Sequence, residues 1–495
     1  MRLSTSQRWE GVCAGALVVL AAWLRLRHLG LAEFKADEAI ALRIGHDILH
    51  GDLRTVGLTS SSGAANPPLY VYVVAGMLAV SNSPLFATGV VAVLASLAVA
   101  LTYPLLRGRF GGGVALLGVG FFATAPWAVL YGRHLWQQDL LPIVMVALLW
   151  SLFTVLERGS SRVVLLLPVL LSIAMQLNLS AVALALPVLA VLVYRARNIR
   201  PLSLAVGVAI GLVLLAPWLA HDAKHGFRDF TLIAENGRGH GTSARGTGTI
   251  EAIRQTVHLA GAGGWNFVVG ASRNAFADDA GAVWTLGRIA GVAVVVLLVL
   301  GMLTCAVVVA RGVRRVRRWP FVELEEDAAR RALLLVWLVG IWLSYLSSRA
   351  SGVGPHYLIV SYPVSFVLAA LGLVDAGRFL GERGAAVLVP AVAAVVIAGY
   401  VAFSLSFQDF VLREGGTAGD YGVVYDDTAA LAAALRARGL DADDPATEYL
   451  VWGKLGAPEG VTAQVRTRDR LRDASPLPCA GVLRAFGPLD ACFPR

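Results

Sequence analysis

Asp37 and Glu38 stand side by side in "AEFKADEAIALRIGHDILHGD" (32–52), directly after the first long apolar run of the chain. A carboxylate at such a place can act as general base on an incoming hydroxyl. It can equally be an ordinary occupant of a helix N-terminus, where the helix dipole favours negative charge. A second set of polar groups, Arg133, His134 and Asp139, falls in "YGRHLWQQD" (131–139), and a third, Arg349, His356 and Tyr357, in "SSRASGVGPHYLIVSYP" (347–363). Arginine suits the recognition of phosphate, whose oxygens it meets with a planar fork of donors. The plainer readings are an interfacial His/Tyr belt and, for Asp139, a cap on the helix that follows. Glu33 and Asp47 read as ordinary polar residues of the first loop.

The elements that must position these groups are helices in a membrane. The chain has 495 residues, of which 57% are hydrophobic and 15% charged, and its mean hydropathy is +0.67. Soluble domains carry about a quarter charged residues, so this is an integral membrane protein. The apolar residues fall in repeated runs of spanning length. No small-residue cleavage site follows the first run, which reads as a retained span and not as a signal peptide. The net charge of +9 sits in short links such as "LLRGRFGG", "YRARNIRP" and "RGVRRVRRW", as the positive-inside rule requires. That placement removes nucleic-acid binding from consideration.

Eleven spans are expected, at roughly 11–27, 85–106, 112–130, 138–156, 162–177, 180–194, 202–220, 284–310, 331–347, 357–374 and 385–405. The apolar part of 66–84 is short for a span, and leaving it at the interface places every basic link on one face. The N-terminus is then cytoplasmic, and the outward-facing material comprises 28–84, 131–139, 221–283, 348–357 and the tail from about residue 406. All the candidate groups share that outer face. Within the first loop, 36–53 has the pattern of a helix lying along the membrane surface. The prolines of "AANPPLY" suit the start of a short helix. The glycine cluster "GRGHGTSARGTG" lacks the Gly-Lys-Ser/Thr ending of a phosphate-binding P-loop, and reads as a flexible loop leading into a second surface helix. The tail, 406–495, reads as a small extracytoplasmic α/β domain. Its Cys479 and Cys492 are candidate disulfide partners if exported, whereas Cys13 and Cys305 lie in apolar runs.

In "ADEA" (36–39), "NPPLY" (66–70), "GRHLWQQD" (132–139) and "PHYLIVSYP" (355–363), taken in order and on one face, the sequence resembles the polytopic GT-C glycosyltransferases. The likeness is to the family 39 group of protein O-mannosyltransferases, aminoarabinose transferases and Rgt-like bacterial enzymes, whose bacterial members the "GDYGVVY" segment (419–425) also resembles. The resemblance implies a GT-C-like transmembrane module over 1–405. It implies a transferase at the outer face of the cytoplasmic membrane, moving a sugar from a polyprenyl-phosphate donor to an envelope glycan, lipid or protein hydroxyl. The base role carries over to Asp37, with Glu38 as its neighbour. The donor-phosphate and substrate set becomes Asn66, Tyr70, Arg133, His134, Asp139, Arg349, His356 and Tyr357. Family members often have His or Lys where Asn66 stands, and some have an acidic metal ligand where Ala65 stands. No cofactor is therefore assigned, and a divalent metal stays an open alternative. Independently of the family, glycosyl transfer needs a base for the hydroxyl and donors for the departing phosphate. The rival reading is a transporter or flippase for lipid-linked or anionic substrates, which should carry ionisable or helix-breaking residues at mid-span.

Overall fold

The computed structural model describes residues 5–60, 63–159, 162–238, 247–315, 324–346, 353–426 and 429. The described chain is a helical bundle. Its first part contains α1 (Thr5–Leu26), α2 (Ala36–Leu49), α3 (Leu69–Val80), α4 (Pro84–Phe110), α5 (Gly112–Thr124), α6 (Pro126–Tyr131) and α7 (Leu141–Arg158). The middle contains α8 (Leu166–Leu177), α9 (Ala185–Tyr194), α10 (Pro201–Lys224), α11 (Arg228–Arg238), α12 (Thr247–Gly261), α13 (Asn266–Val269) and α14 (Arg273–Ala280). The last part contains α15 (Ala282–Arg315), α16 (Glu326–Ser344), α17 (Val364–Phe379) and α18 (Gly381–Glu414). Among the described residues β-structure is confined to isolated bridges.

Every expected span coincides with a helical segment, but six helices among the described residues are long and apolar enough to cross a membrane, or seven with one bent pair. The other expected spans are shorter, broken or charged for identifiable reasons. Pro126 has no N–H to continue α5. The spans expected at 162–177 and 180–194 begin as 3₁₀ turns, and α16 starts on Glu326, Asp327, Arg330 and Arg331. Pro355–Ser361 meets α17 at a 60° bend. The α3 segment is a helix of 12 residues, too short to span ~30 Å of hydrocarbon. It packs under α2, with Gly45 facing Val74 and Ala75.

Glycines bring the long helices into contact. A Cβ at Gly301 would lie 1.8 Å from the Leu368 carbonyl oxygen, and one at Gly372 would lie 2.1 Å from that of Leu297. Helices α15 and α17 thus cross at backbone distance, as small residues permit in membranes. Gly261 and Gly291 do the same for α12 and α15. This close approach draws α12 into the bundle, where Ala252, Thr256 and Leu259 are buried. It is not the surface-lying helix its sequence suggests.

The break between α5 and α6 is closed from outside. Arg25, fully buried at the end of α1, donates to the carbonyls of Ala21 (3.0 Å), Ala123 (2.9 Å), Phe122 (3.3 Å) and Ala128 (3.1 Å). Phe122 is four residues before Pro126, so its carbonyl lacks the usual helical donor. An arginine fork satisfies oxygens on both sides of the break at once.

One end of the bundle is tied by ion pairs: Glu10 with Arg107, Glu157 with Arg109 and Arg330, and Asp375 with Arg331. The candidate groups lie at the other end, along α7 by about 27 Å at 1.5 Å per residue. Helix α18 runs unbroken to Glu414, past residue 406, and the chain then folds back over the first loop as residues 416–425. The rest of the tail expected as an α/β domain, with Cys479 and Cys492, lies outside the described residues, as does Arg349.

Candidate active site

Helix α2 begins with its own cap. The Lys35 backbone is extended, and its N–H donates to Glu38 Oε2 at 2.7 Å. This is half a capping box, since a lysine side chain has no acceptor to complete it. Glu38 is thereby turned inward and is 1% exposed. Asp37, one residue earlier, faces outward and is exposed. The Trp136 indole N–H donates to Asp37 Oδ2 at 3.2 Å, and the Trp136 ring stands edge-on to His356 at 5.1 Å. The 28–84, 131–139 and 348–357 loops thus meet at Asp37, Trp136 and His356.

Beneath this rim lies a buried cluster. His134 Nε2 is 3.4 Å from Glu33 Oε2, and its Nδ1 is 4.0 Å from Asp139 Oδ2. Both Asp139 oxygens are without a hydrogen-bond partner among the described residues, although Asp139 is only 1% exposed. Lys35 Nζ forms an ion pair with Glu33 and donates to the Asp420 carbonyl. The Asp420 carboxylate is 3.7 Å from the same ammonium. Glu33, Lys35 and Asp420 were not evident in sequence. Glu33 looks like a loop carboxylate until the chain returns 385 residues later to place Asp420 beside Lys35.

Burial governs the protonation of this cluster. It pushes Glu33 well above its usual value against the opposing pull of Lys35, and lowers His134 to about 3, helped by Lys35 and Arg133. His134 is therefore neutral, one ring nitrogen donating and the other accepting. Burial alone would lower Lys35, but Glu33, Asp420 and Glu38 together outweigh it and hold the ammonium charged. Burial raises Glu38 to about 7, with Lys35 opposing. Its folded value lies above the ordinary 4.5, so its contribution to stability is full below that pH and is lost as pH rises through about 7. In Glu38→Gln, the change in melting temperature between pH 5 and 8 is expected to be smaller than in the parent protein. Melting curves of both proteins in detergent check this, and equal slopes would refute it.

The remaining predicted residues divide. Tyr70 is buried and its hydroxyl donates to the Leu135 carbonyl, anchoring the 131–139 loop. Asn66 pairs through its backbone with Gly57 and Leu58, and the preceding Ala65 is clamped by Asp229 and Trp218. The His356 and Tyr357 rings lie 4.2 Å apart at a 54° tilt; their carbonyls accept from Asn178 and Ser180. Arg133 is turned away from the cluster. Its guanidinium donates to the carbonyls of Leu24, Arg27 and His28, at 3.5, 2.9 and 2.7 Å, closing the end of α1. Among the described residues no three His, Cys, Asp or Glu side chains converge closely enough to hold a metal ion, so no step is assigned to one.

Residues 65–221 match the family described as dolichyl-phosphate-mannose-protein mannosyltransferase. The matched stretch takes in Tyr70 and the 131–139 loop, while Asp37 precedes it and His356 follows it. No curated protein matches the chain by sequence. Among solved structures, ArnT from Cupriavidus metallidurans bound to undecaprenyl phosphate superposes with a TM-score of 0.56 at 15% identity, covering 89% of this chain and 82% of that one. Its apo state gives 0.54 at the same identity and coverage. An oligosaccharyltransferase from Archaeoglobus fulgidus, in complex with Zn and sulfate, gives 0.48 at 13% identity, over 90% of this chain and 57% of that one. The chain has the fold of the GT-C membrane glycosyltransferases.

Proposed function

We propose that the protein is a glycosyltransferase of the cytoplasmic membrane, moving a sugar from a polyprenyl-phosphate donor to a hydroxyl acceptor at the outer face. The observation that carries this reading is the accessible Asp37 carboxylate, held by Trp136 at the rim of a buried acid–lysine cluster on a GT-C fold. A lipid-linked donor is supported by the undecaprenyl phosphate bound to the similarly folded ArnT, and by the description of the family matched over 65–221.

In the reaction, the acceptor oxygen forms a bond to the sugar C1 as its proton passes to Asp37. The bond from C1 to the phosphate oxygen breaks, and its electron pair leaves with the polyprenyl phosphate. Trp136 engages one Asp37 oxygen and leaves the other for the hydroxyl.

Purified protein in lipid nanodiscs, given a panel of polyprenyl-phosphate sugars and a hydroxyl acceptor, is expected to consume at least one donor and release polyprenyl phosphate. Movement of lipid-linked sugar across a vesicle bilayer, with no donor cleaved, would establish the transporter reading instead.

A further inference from the structure

A departing lipid phosphate requires positive charge that is already in place. The site is rich in the wrong sign: Glu33, Asp37, Glu38, Asp139 and Asp420 gather around it. The buried guanidinium groups of Arg25 and Arg133 are directed to backbone carbonyls. Arg27 pairs with Asp409 and lies over the Trp23 ring. Lys35 is different. Its ammonium sits two residues before Asp37, at the N-terminus of the same helix, and its side chain is 31% exposed. Two of its donors go to Glu33 and to the Asp420 carbonyl, and an ammonium has three.

We infer that Lys35 is, among the described residues, the cation that meets the donor's phosphate, presenting its third N–H to the departing oxygens, and that Glu33 and Asp420 are positioning residues that aim it. The geometry fits this division. Glu33 is buried and pairs with the ammonium on one side. Asp420 arrives from the returning segment, itself pinned by Asp420 N to the Phe267 carbonyl (2.8 Å) and Tyr421 N to that of Val268 (3.2 Å). The Lys35 backbone is fixed by Glu38. The ammonium is thus held by Glu33 and Asp420 on a side chain that keeps 31% of its surface exposed, two residues before the carboxylate proposed as base. Lys35 is then a catalytic residue, supplying as a tethered group the positive charge that a phosphate-leaving reaction needs.

This inference rests on the proposed glycosyl transfer, and its test separates the two. Binding of undecaprenyl phosphate and of undecaprenol to the nanodisc-embedded protein is measured by tryptophan fluorescence, without turnover, alongside donor consumption. Lys35→Gln is expected to weaken undecaprenyl phosphate binding at least about tenfold, to leave undecaprenol binding unchanged, and to lower kcat about 10²–10³-fold. Lys35→Arg keeps the charge and is expected to stay within about tenfold of the parent in both readouts. Asp420→Asn leaves the carbonyl in place and is expected to weaken phosphate binding less than Lys35→Gln does. Unchanged undecaprenyl phosphate binding in Lys35→Gln overturns the inference, as does equal weakening for undecaprenol, which would mark a structural role. If the parent protein binds undecaprenyl phosphate through Lys35 but consumes no sugar donor, the glycosyl-transfer reading fails and the phosphate contact stands.

Discussion

Replacing Asp37 by Asn is expected to lower sugar transfer about 10²–10⁴-fold, the range a positioned general base contributes. The substitution is chosen for what it preserves. The amide oxygen of an asparagine can still accept the Trp136 N–H, which lies 3.2 Å from Asp37 Oδ2, so the rim keeps its geometry while the basic oxygen is lost. Asp37 is exposed, so the change buries no unpaired group and the melting temperature should hold. Glu38 cannot take over, because its carboxylate faces inward and caps α2 through Lys35. Release of labelled sugar from the donor in membranes, at matched protein level, is the measurement. Undiminished transfer would remove Asp37 from the mechanism and turn attention to Asp139, whose oxygens are unpartnered among the described residues.

The second large effect is on stability. Arg25→Met should destabilise the bundle by about 1–3 kcal/mol for each buried carbonyl left without a donor. Methionine fills much of the same space, so the loss is chiefly electrostatic. The carbonyls of Phe122 and Ala123 would lose their Arg25 donors at the break in the helix. Within a membrane such cations commonly pair with backbone carbonyls, and few substitutes exist. Arg25→Lys should recover only part of the loss, since a point charge cannot bridge the oxygens of Ala21, Phe122, Ala123 and Ala128 as a fork does. Thermal unfolding in detergent, followed by tryptophan fluorescence, reads both variants. A melting temperature unchanged in Arg25→Met would show that the break is held by packing.

Much of the architecture was legible because apolar run length and basic links are local properties. The helix 36–49 and its outward carboxylate could be read from periodicity and position. The meeting of "GRHLWQQD" with "PHYLIV" at Trp136 and His356 follows the order of the loops. What could not be read depends on contacts remote in sequence. Arg133 looks like an outward cation, but its donors serve the end of α1, more than a hundred residues earlier. Glu33 looks incidental until Asp420 and Lys35 are beside it. The α12 helix reads as amphipathic and interfacial, yet a glycine pair lets it sink into the bundle. Periodicity reports which face is apolar and is silent about what that face meets.

The returning segment 416–425 also fixes an order of events during synthesis. Glu33 and Val424 form a backbone bridge, Phe34 N bonds to the Val423 carbonyl, and Tyr425 N bonds to that of Ala32. Chains emerge from the ribosome N-terminal end first, so the 28–84 loop waits while every described helix is made. Only then does Asp420 reach Lys35. Through most of its biogenesis the protein therefore carries Asp37 on a loop that still lacks its Asp420 and Val424 partners.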